Sequence, residues 1–164
     1  MSTVTEASAG CYIVRPAAPA DRDAWFEMWR GYCDFYEARI PDAVTAATWA
    51  RILAADSPIG ALVAVNGSTG TIAGFANYVV HPFTWSDLSA CYLEDLFVRP
   101  EARGSGAAGA LLQHLFALGR AQHWARVYWM TRENNLVARR LYDRFCARDD
   151  FVRYVLRFDA EPTQ

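Results

Sequence analysis

The sequence predicts a single domain of the α+β, or mixed α/β, class. The chain has 164 residues, which suits one domain with a sizeable hydrophobic core. Hydrophobic residues make up 53% of the chain and charged residues 21%, a balance typical of a folded protein. Apolar strands and amphipathic helices follow one another in the order β-α-α-β-β-β-α-β-α-β, which predicts one sheet covered by helices.

The first third of the chain predicts a strand and two helices. CYIVRPA (11–17) has the composition of a strand. Asp21 is a good N-cap, and apolar residues recur after it at helical spacing until Pro41 stops the helix. A second, short helix is predicted over residues 43–55.

The middle of the chain predicts three strands. IGALVAV (59–65) and TIAGFANYVV (71–80) flank the turn sequence NGSTG, which indicates a hairpin. ACYLEDLFV (90–98) is the third strand of this group.

The rest of the chain predicts two helices and two strands. A glycine-rich loop opens a helix that extends to about His123. RVYWMT (126–131) is a strand, and Asn134 or Asn135 caps the last helix. FVRYVLRF (151–158) is a closing strand, because it is rich in aromatic and β-branched residues.

Charge is distributed unevenly along the chain. Residues 1–98 carry 5 Arg and 11 acidic residues, whereas residues 99–164 carry 11 Arg and 7 acidic residues. Two solvated faces would explain this, as would a basic half for an anionic cofactor and an acidic half for a cationic substrate. The chain has no Lys, which excludes a P-loop. The net charge of −2 and the lack of a basic run disfavour nucleic-acid binding.

The cysteines and histidines predict no metal site. The four Cys are far apart without a C-x-x-C pair, and the three His lack ligand spacing. Free thiols indicate a reducing compartment, and the N-terminus lacks the segments of a signal peptide, so we expect a cytoplasmic protein. The sequence contains no apolar run of roughly 18 residues, so we predict no membrane span.

The stretch GSGAAG (104–109) spells G-x-G-x-x-G, the dinucleotide-binding fingerprint. A Rossmann loop turns almost directly from strand to helix, whereas five residues separate Val98 from the first glycine here. A dinucleotide is therefore disfavoured. An anion such as a pyrophosphate still suits glycines at a helix N-terminus, and Arg103 adds a charged donor. Tight packing of the loop is the alternative interpretation.

Two motifs together resemble the GNAT superfamily of acyl-CoA N-acyltransferases. The first is YLEDLFV, then RPEAR, then R-x-x-G-x-A over residues 103–108. The second is NNLVARRLYDRF (134–145), which is similar to the N-x-x-A-x-x-L/F-Y helix of that family. YLEDLFV and VYW-x-T-x-x-x-N look most like the branch of polyamine (diamine) acetyltransferases and the yeast-type acetyltransferases of polyamines, histones and D-amino acids.

The resemblance implies a mixed, mostly antiparallel sheet of six to seven strands flanked by about four helices. The domain would span residues 11–159, with a disordered tail at 1–10 and a short tail at 160–164. The implied reaction is direct acetyl transfer from acetyl-CoA to a primary amine, such as a polyamine, an amino acid or another small cationic amine. The resemblance also implies a homodimer that acts on a small-molecule amine. The charge and the hydropathy of the sequence predict no nucleic-acid or membrane partner.

The implied cofactor site uses mainly backbone groups. The glycine loop would hold the pyrophosphate, and the strand before it would run beside the pantetheine arm. The main-chain N–H of Phe97 or Val98 could polarise the thioester carbonyl. Arg139 and Arg140 could meet phosphates or could be solvated. The cofactor-binding residues implied are Leu96, Phe97, Val98, Arg103, Gly104, Ser105, Gly106, Ala107, Ala108, Gly109, Asn135, Ala138 and Arg140.

Two side chains are implied in proton transfer. An alkyl ammonium has a pKa of about 10.4, so a base helps to deprotonate it. The resemblance selects Glu94 as substrate anchor and base, directly or through a water, and Tyr142 as the acid for the leaving thiolate. Asp95 is expected to be structural. Strict alternation would put Glu94 on one face with Tyr92, Leu96 and Val98, and Asp95 on the other with Leu93 and Phe97.

The acceptor pocket is expected to be lined by aromatic residues, because aromatic faces bind cations. Core packing is the alternative for each of them. The expected lining is Glu94 with Tyr32, Tyr36, His81, Trp85 and Trp129. A small-molecule N-acetyltransferase, a protein acetyltransferase for lysine or N-termini, and a non-catalytic acyl-CoA sensor all remain open.

Overall fold

The computed structural model describes residues 11–158, and the chain divides between Met130 and Thr131 into two compact units. The expected tails at 1–10 and 160–164 lie outside the described residues. The single-domain boundaries drawn from the sequence therefore stay a prediction.

The first unit contains a five-stranded sheet in which the strands lie in chain order. Neighbouring strands are antiparallel, except that β4 and β5 are parallel. The predicted β2–β3 hairpin is present, and the Asn66 side chain accepts the N–H groups of Ser68 and Thr69 in its turn. The strands are β1 (Tyr12–Pro16), β2 (Ile59–Asn66), β3 (Ile72–His81), β4 (Ala90–Val98) and β5 (Arg126–Trp129).

Three helices cover this sheet. Helices α1 (Arg22–Phe35) and α2 (Asp42–Leu53) cover one face, and α3 (Ala107–Ala121) covers the other as the crossover from β4 to β5. Trp25 of α1 is fully buried, with its ring against those of Trp29, Trp49 and Phe75. Burial of such large aromatic surfaces is the main force that holds α1 and α2 on the sheet.

Asp21 precedes α1 as predicted, but its carboxylate does not cap the helix. It accepts two hydrogen bonds from the Arg15 guanidinium, at 2.6 and 2.8 Å, and one from the N–H of Ala18 at 2.8 Å. The carboxylate thus fixes the connection between β1 and α1.

The second unit contains one short helix, α4 (Leu136–Tyr142), which brings the number of α-helices in residues 11–158 to the predicted four. The prediction of a closing strand over residues 151–158 is wrong, since these residues form no ladder. The sheet therefore has five strands within the described residues, not six to seven. The segment has apolar residues at both odd and even positions, so its composition favours a strand without giving it one face to bury.

Candidate active site

The glycine-rich loop between β4 and α3 owes its glycines to backbone conformation. Gly104 and Gly106 have φ angles of 79° and 95°, in the region that disfavours residues with a Cβ. A Cβ built on either glycine would meet no atom within 4 Å. Tight packing does not explain these glycines, and open space lies in front of them.

Hydrogen bonds hold this loop in shape. The Ser105 hydroxyl donates to the Ala102 carbonyl at 2.5 Å and accepts from the Tyr12 hydroxyl at 2.6 Å. The Arg103 side chain donates to the Val98 carbonyl at 3.3 Å. These contacts join the loop to β1 and to the end of β4.

The start of α3 presents backbone N–H groups. Its first helical hydrogen bond runs from the N–H of Ala110 to the Gly106 carbonyl, at 3.0 Å. The N–H groups of residues 107–109 precede that bond and have no acceptor in the helix. Together with the helix dipole, they suit an anionic ligand.

Beside this loop, no strand among residues 11–130 covers the outer edge of β4. Pairing between β4 and β5 stops at Leu93 and Trp129, within residues 11–130. The Arg99 N–H points toward β3 and donates to the carbonyl of Ala73 in that strand, at 2.8 Å. Because successive residues direct their N–H groups to opposite sides, Phe97 faces β3, whereas Val98 faces the uncovered edge. This direction favours Val98 over Phe97 as a main-chain donor.

Glu94 is the extra residue of a β-bulge. Asn77 pairs with Asp95, but the next residue, Tyr78, pairs with Leu93, so the register between the two strands skips Glu94. The prediction of strict alternation along β4 is therefore wrong. Beyond the bulge the faces exchange, and Asp95 shares the α1–α2 face with Tyr92 and Phe97, while Leu93, Leu96 and Val98 share the α3 face. Bulges are frequent beside active sites because they redirect side chains.

Asp95 lies in a hydrogen-bonded network on the α1–α2 face. Its carboxylate accepts from the Asn77 amide at 3.0 Å and from the Tyr32 hydroxyl. The Trp25 indole N–H donates to the Asn77 carbonyl oxygen at 3.2 Å, which fixes the orientation of that amide. Burial raises the pKa of the Asp95 carboxyl, and the two hydrogen bonds offset that rise in part. Burial and the Asp95 charge raise the pKa of Tyr32, which therefore donates.

A cavity of about 260 Å³ lies over the bulge. Ligand pockets for drug-sized molecules measure about 300–1,000 Å³, so this one suits a smaller molecule. Both carboxylates of β4 line it, together with polar and aromatic groups of α1, α2 and β3. The lining residues used below are Trp29, Thr48, Arg51, Asn77, Glu94 and Asp95.

The other residues predicted for acceptor binding are dispersed. Tyr36 contacts the Tyr32 ring, with centroids 4.9 Å apart. The His81 ring bonds the Tyr128 hydroxyl at 2.9 Å, on the same face as Asp95. Trp85 is 81% exposed. Trp129 stacks on Phe116 of α3, on the opposite face.

The second unit carries the remaining predicted residues. Asn135 is the N-cap of α4, since its side chain accepts the Ala138 N–H at 3.3 Å and donates to the Thr131 hydroxyl at 3.2 Å. Arg139 donates to the Glu133 carbonyl at 2.7 Å, and Arg140 is exposed. Tyr142 is the half-buried last residue of the helix.

Sequence reasoning missed Arg51 and Asn77 and gave Asp95 only a structural role. A polar residue inside the apolar run IAGFANYVV was the available signal for Asn77. Arg51 offered no signal, because one arginine on an exposed helix face is ordinary.

Within residues 11–158, no three His, Cys, Asp or Glu side chains are grouped to hold a metal ion. In the same range, every helix is too short or too polar to cross a membrane.

The exposed strand edge, the glycine loop and the N-terminus of α3 together form a surface that suits an anionic ligand. A sequence profile of the acetyltransferase (GNAT) family matches residues 22–147. The chain belongs to that family and is an acyltransferase enzyme. Acetyltransferases of this family use acetyl-CoA as co-substrate.

Individual relatives agree with this assignment. The chain is 29% identical over 142 residues to the D-amino-acid N-acetyltransferase HPA3 of Saccharomyces cerevisiae, and the match covers 87% of this chain and 88% of that protein. A crystal structure of a probable acetyltransferase is similar with a TM-score of 0.80 at 23% identity, covering 91% of this chain and 99% of the other. The ribosomal-protein-alanine N-acetyltransferase of Brucella melitensis biovar Abortus has a TM-score of 0.75 at 24% identity, covering 90% and 99%. These two structures support the fold alone.

Proposed function

We propose that this enzyme transfers the acetyl group of acetyl-CoA directly to a primary amine of a small molecule. The acceptor would be an amino acid, a polyamine or another small cationic amine. The observation that carries the proposal is the pair of positive-φ glycines with open space before them, next to the uncovered edge of β4. The similarity to a D-amino-acid N-acetyltransferase supports a small acceptor.

The cofactor would be held mainly by backbone. The N–H groups at the start of α3 and the Arg103 side chain suit its pyrophosphate. The edge of β4 over Leu96–Val98 suits its pantetheine arm, and the Val98 N–H faces the side from which it can donate to the thioester oxygen. When bound, acetyl-CoA supplies the activated acyl group.

Glu94 would accept a proton from the substrate ammonium, directly or through a water. The free amine then attacks the acyl carbon, so that a C–N bond forms as the C–S bond breaks. Tyr142 would donate its phenolic proton to the departing thiolate and recover one from the amine or solvent. One proton is released to solution for each amide formed. Within residues 131–158, the cap at Asn135 fixes the start of the helix that carries Tyr142.

The test is thiol release from acetyl-CoA with a panel of D- and L-amino acids, putrescine, spermidine and a lysine peptide. We expect amine-dependent release with the small acceptors. In Glu94→Gln and Tyr142→Phe, kcat should fall roughly 10²- to 10⁴-fold while acetyl-CoA affinity is retained. Release confined to the peptide would indicate a protein acetyltransferase. Tight acetyl-CoA binding without release would indicate a sensor.

The loop assignment has its own test in two variants at one position. Gly106→Ala and Gly106→Trp share the backbone penalty of a Cβ at φ 95°, about 1–2 kcal/mol. Only Trp fills the space in front of the loop. We expect calorimetry to show acetyl-CoA binding in the Ala variant and none in the Trp variant. Gly70→Ala, at a φ of 72° in the β2–β3 turn, is the control for strain alone. Equal affinity in both Gly106 variants would refute the assignment.

A further inference from the structure

Arg51 brings a positive charge into a cavity that otherwise carries acidic groups. It lies in the last turn of α2 and lines the pocket together with Glu94 and Asp95. Its guanidinium makes two long hydrogen bonds within its own helix, to the Ala47 carbonyl at 3.4 Å and the Thr48 hydroxyl at 3.3 Å. Among the described residues it forms no ion pair, whereas Arg15, Arg22, Arg99 and Arg148 each do.

The acidic side of the cavity is rigid. Asp95 is held by Asn77, which is held in turn by the buried Trp25. A carboxylate offers about four acceptor positions, so these contacts leave Asp95 able to accept further hydrogen bonds. Trp29 also lines the cavity and is fixed by stacking on Trp25 and by a 3.2 Å hydrogen bond from its indole N–H to the Thr45 hydroxyl.

We propose that this cavity binds the acceptor as an α-amino acid zwitterion, with Asp95 taking the ammonium group and Arg51 the α-carboxylate. The inference rests on the proposed acetyl transfer and specifies its substrate class. An arginine fork binds a carboxylate through two parallel hydrogen bonds, which also fixes the position of the amine relative to Glu94.

The same charges disfavour the other acceptors. A polyamine would place a second cation near Arg51, where like charges repel. A lysine side chain of a protein carries no carboxylate near its amine, and neither does a protein N-terminus. The cavity of about 260 Å³ also leaves little room for a polypeptide.

The experiment compares amino acids with their carboxamides, which keep the amine and side chain but lose the negative charge. Alanine, methionine, phenylalanine and lysine, in both enantiomers, are each assayed against the matching amide by thiol release. The amine of a carboxamide has a lower pKa than that of the matching acid, so more of it is present as the reactive free amine. This difference favours the amide, and it therefore works against the expected result. In the wild type we expect kcat/KM to be roughly ten- to a hundredfold higher for the acid than for the amide, the effect of a charge-assisted hydrogen-bonded pair.

Arg51→Gln should abolish this ratio by raising KM for the acids alone. Arg22→Gln is the matched control, because Arg22 is an exposed arginine of α1 that pairs with Asp23. Arg51→Glu should improve putrescine relative to the acids. An acid-to-amide ratio that is unchanged in Arg51→Gln would overturn the inference while leaving acetyl transfer intact.

Binding separates this inference from the proposed reaction. Calorimetry with free phenylalanine and methionine measures occupancy without turnover. Binding by the wild type that is lost in Arg51→Gln supports the cavity assignment even if no acetyl transfer occurs. Equal binding of acid and amide by the wild type overturns it.

Discussion

Asp21 and Asp95 are two shielded carboxylates near opposite ends of helix α1. A charged partner balances the first, whereas neutral groups bond to the second. Asp21 is 5% exposed and accepts two hydrogen bonds from the Arg15 guanidinium. Asp95 is half-buried, and its hydrogen-bond partners, Asn77 and Tyr32, are neutral. The Arg15 hydrogen bond lowers the pKa of Asp21, whereas burial raises that of Asp95.

The difference separates stability from function. A charge whose pKa is lowered by the fold stabilises the folded state, and one whose pKa is raised destabilises it when ionised. A carboxylate whose pKa is raised and that lies beside a cavity is a candidate for binding a ligand of opposite charge. Asp21 therefore belongs to the fold, and Asp95 to the proposed acceptor site.

Within this comparison, the largest effect should come from Asp95→Asn. Asparagine can still accept from Asn77 through its carbonyl oxygen, so the network survives while the charge is lost. We expect kcat/KM for the acceptor to fall roughly a hundredfold, mainly through KM, as for a lost charge-assisted hydrogen bond. The free energy of unfolding at pH 7 should not decrease. A variant that unfolds more easily but keeps its KM would make Asp95 a structural residue.

Asp21→Asn should give the converse result. Arg15 loses its partner, which should lower the free energy of unfolding by about 2–3 kcal/mol. The loss is smaller than for a fully buried pair because the Arg15 side chain is 41% exposed. Urea unfolding measures the loss, and steady-state kinetics of the folded enzyme should change less than about twofold, within the spread of distant sites. A KM change in Asp21→Asn as large as that in Asp95→Asn would contradict the assignment of Asp21 to the fold and Asp95 to the acceptor site.

The pH dependence of stability should sharpen the comparison, because the two aspartates respond with opposite signs. The stability from Asp21 is present above its ordinary pKa of 3.8 and is lost as the pH falls through its lowered folded value. The stability associated with Asp95 is present below 3.8 and is lost as the pH rises through its raised folded value. Urea unfolding between pH 3 and 8 should show the deficit of Asp21→Asn shrinking in acid. Asp95→Asn should gain on the wild type as the pH rises, and parallel curves would contradict both assignments.

Local features of this protein could be predicted from sequence and non-local ones could not. Gly104 and Gly106 were recognisable because a glycine-rich loop before an apolar helix has a local meaning. The helix over 136–142 followed from its Asn cap and apolar spacing. These signals lie within a few residues of the feature that they predict.

The bulge at Glu94 depends instead on the pairing of two distant strands. The letters YLEDLFV alternate in the same way with or without an extra residue. Sequence reasoning therefore put Glu94 and Asp95 on opposite faces, whereas both line one cavity. The environment of Asp95 comes from Tyr32 and Asn77, 63 and 18 positions away in the chain. Residues 151–158 show the same limit, because their composition favours a strand but cannot supply a partner.

The smallest effect should come from Tyr32→Phe, which removes one hydrogen bond to Asp95 and keeps the ring that contacts Phe75 and Phe97. Loss of that donor should reduce kcat/KM roughly five- to tenfold, within the range for one ordinary hydrogen bond, because Asn77 still donates to Asp95. The Tyr32 hydroxyl lowers the pKa of Asp95, so its removal should raise that pKa further and move the acidic limb of the kcat/KM profile to higher pH. Tyr32 would then be a positioning residue that acts through Asp95. A loss of stability with an unmoved pH profile would instead make it part of the aromatic core. In an Asp95→Asn background, Tyr32→Phe should leave the pH profile unmoved.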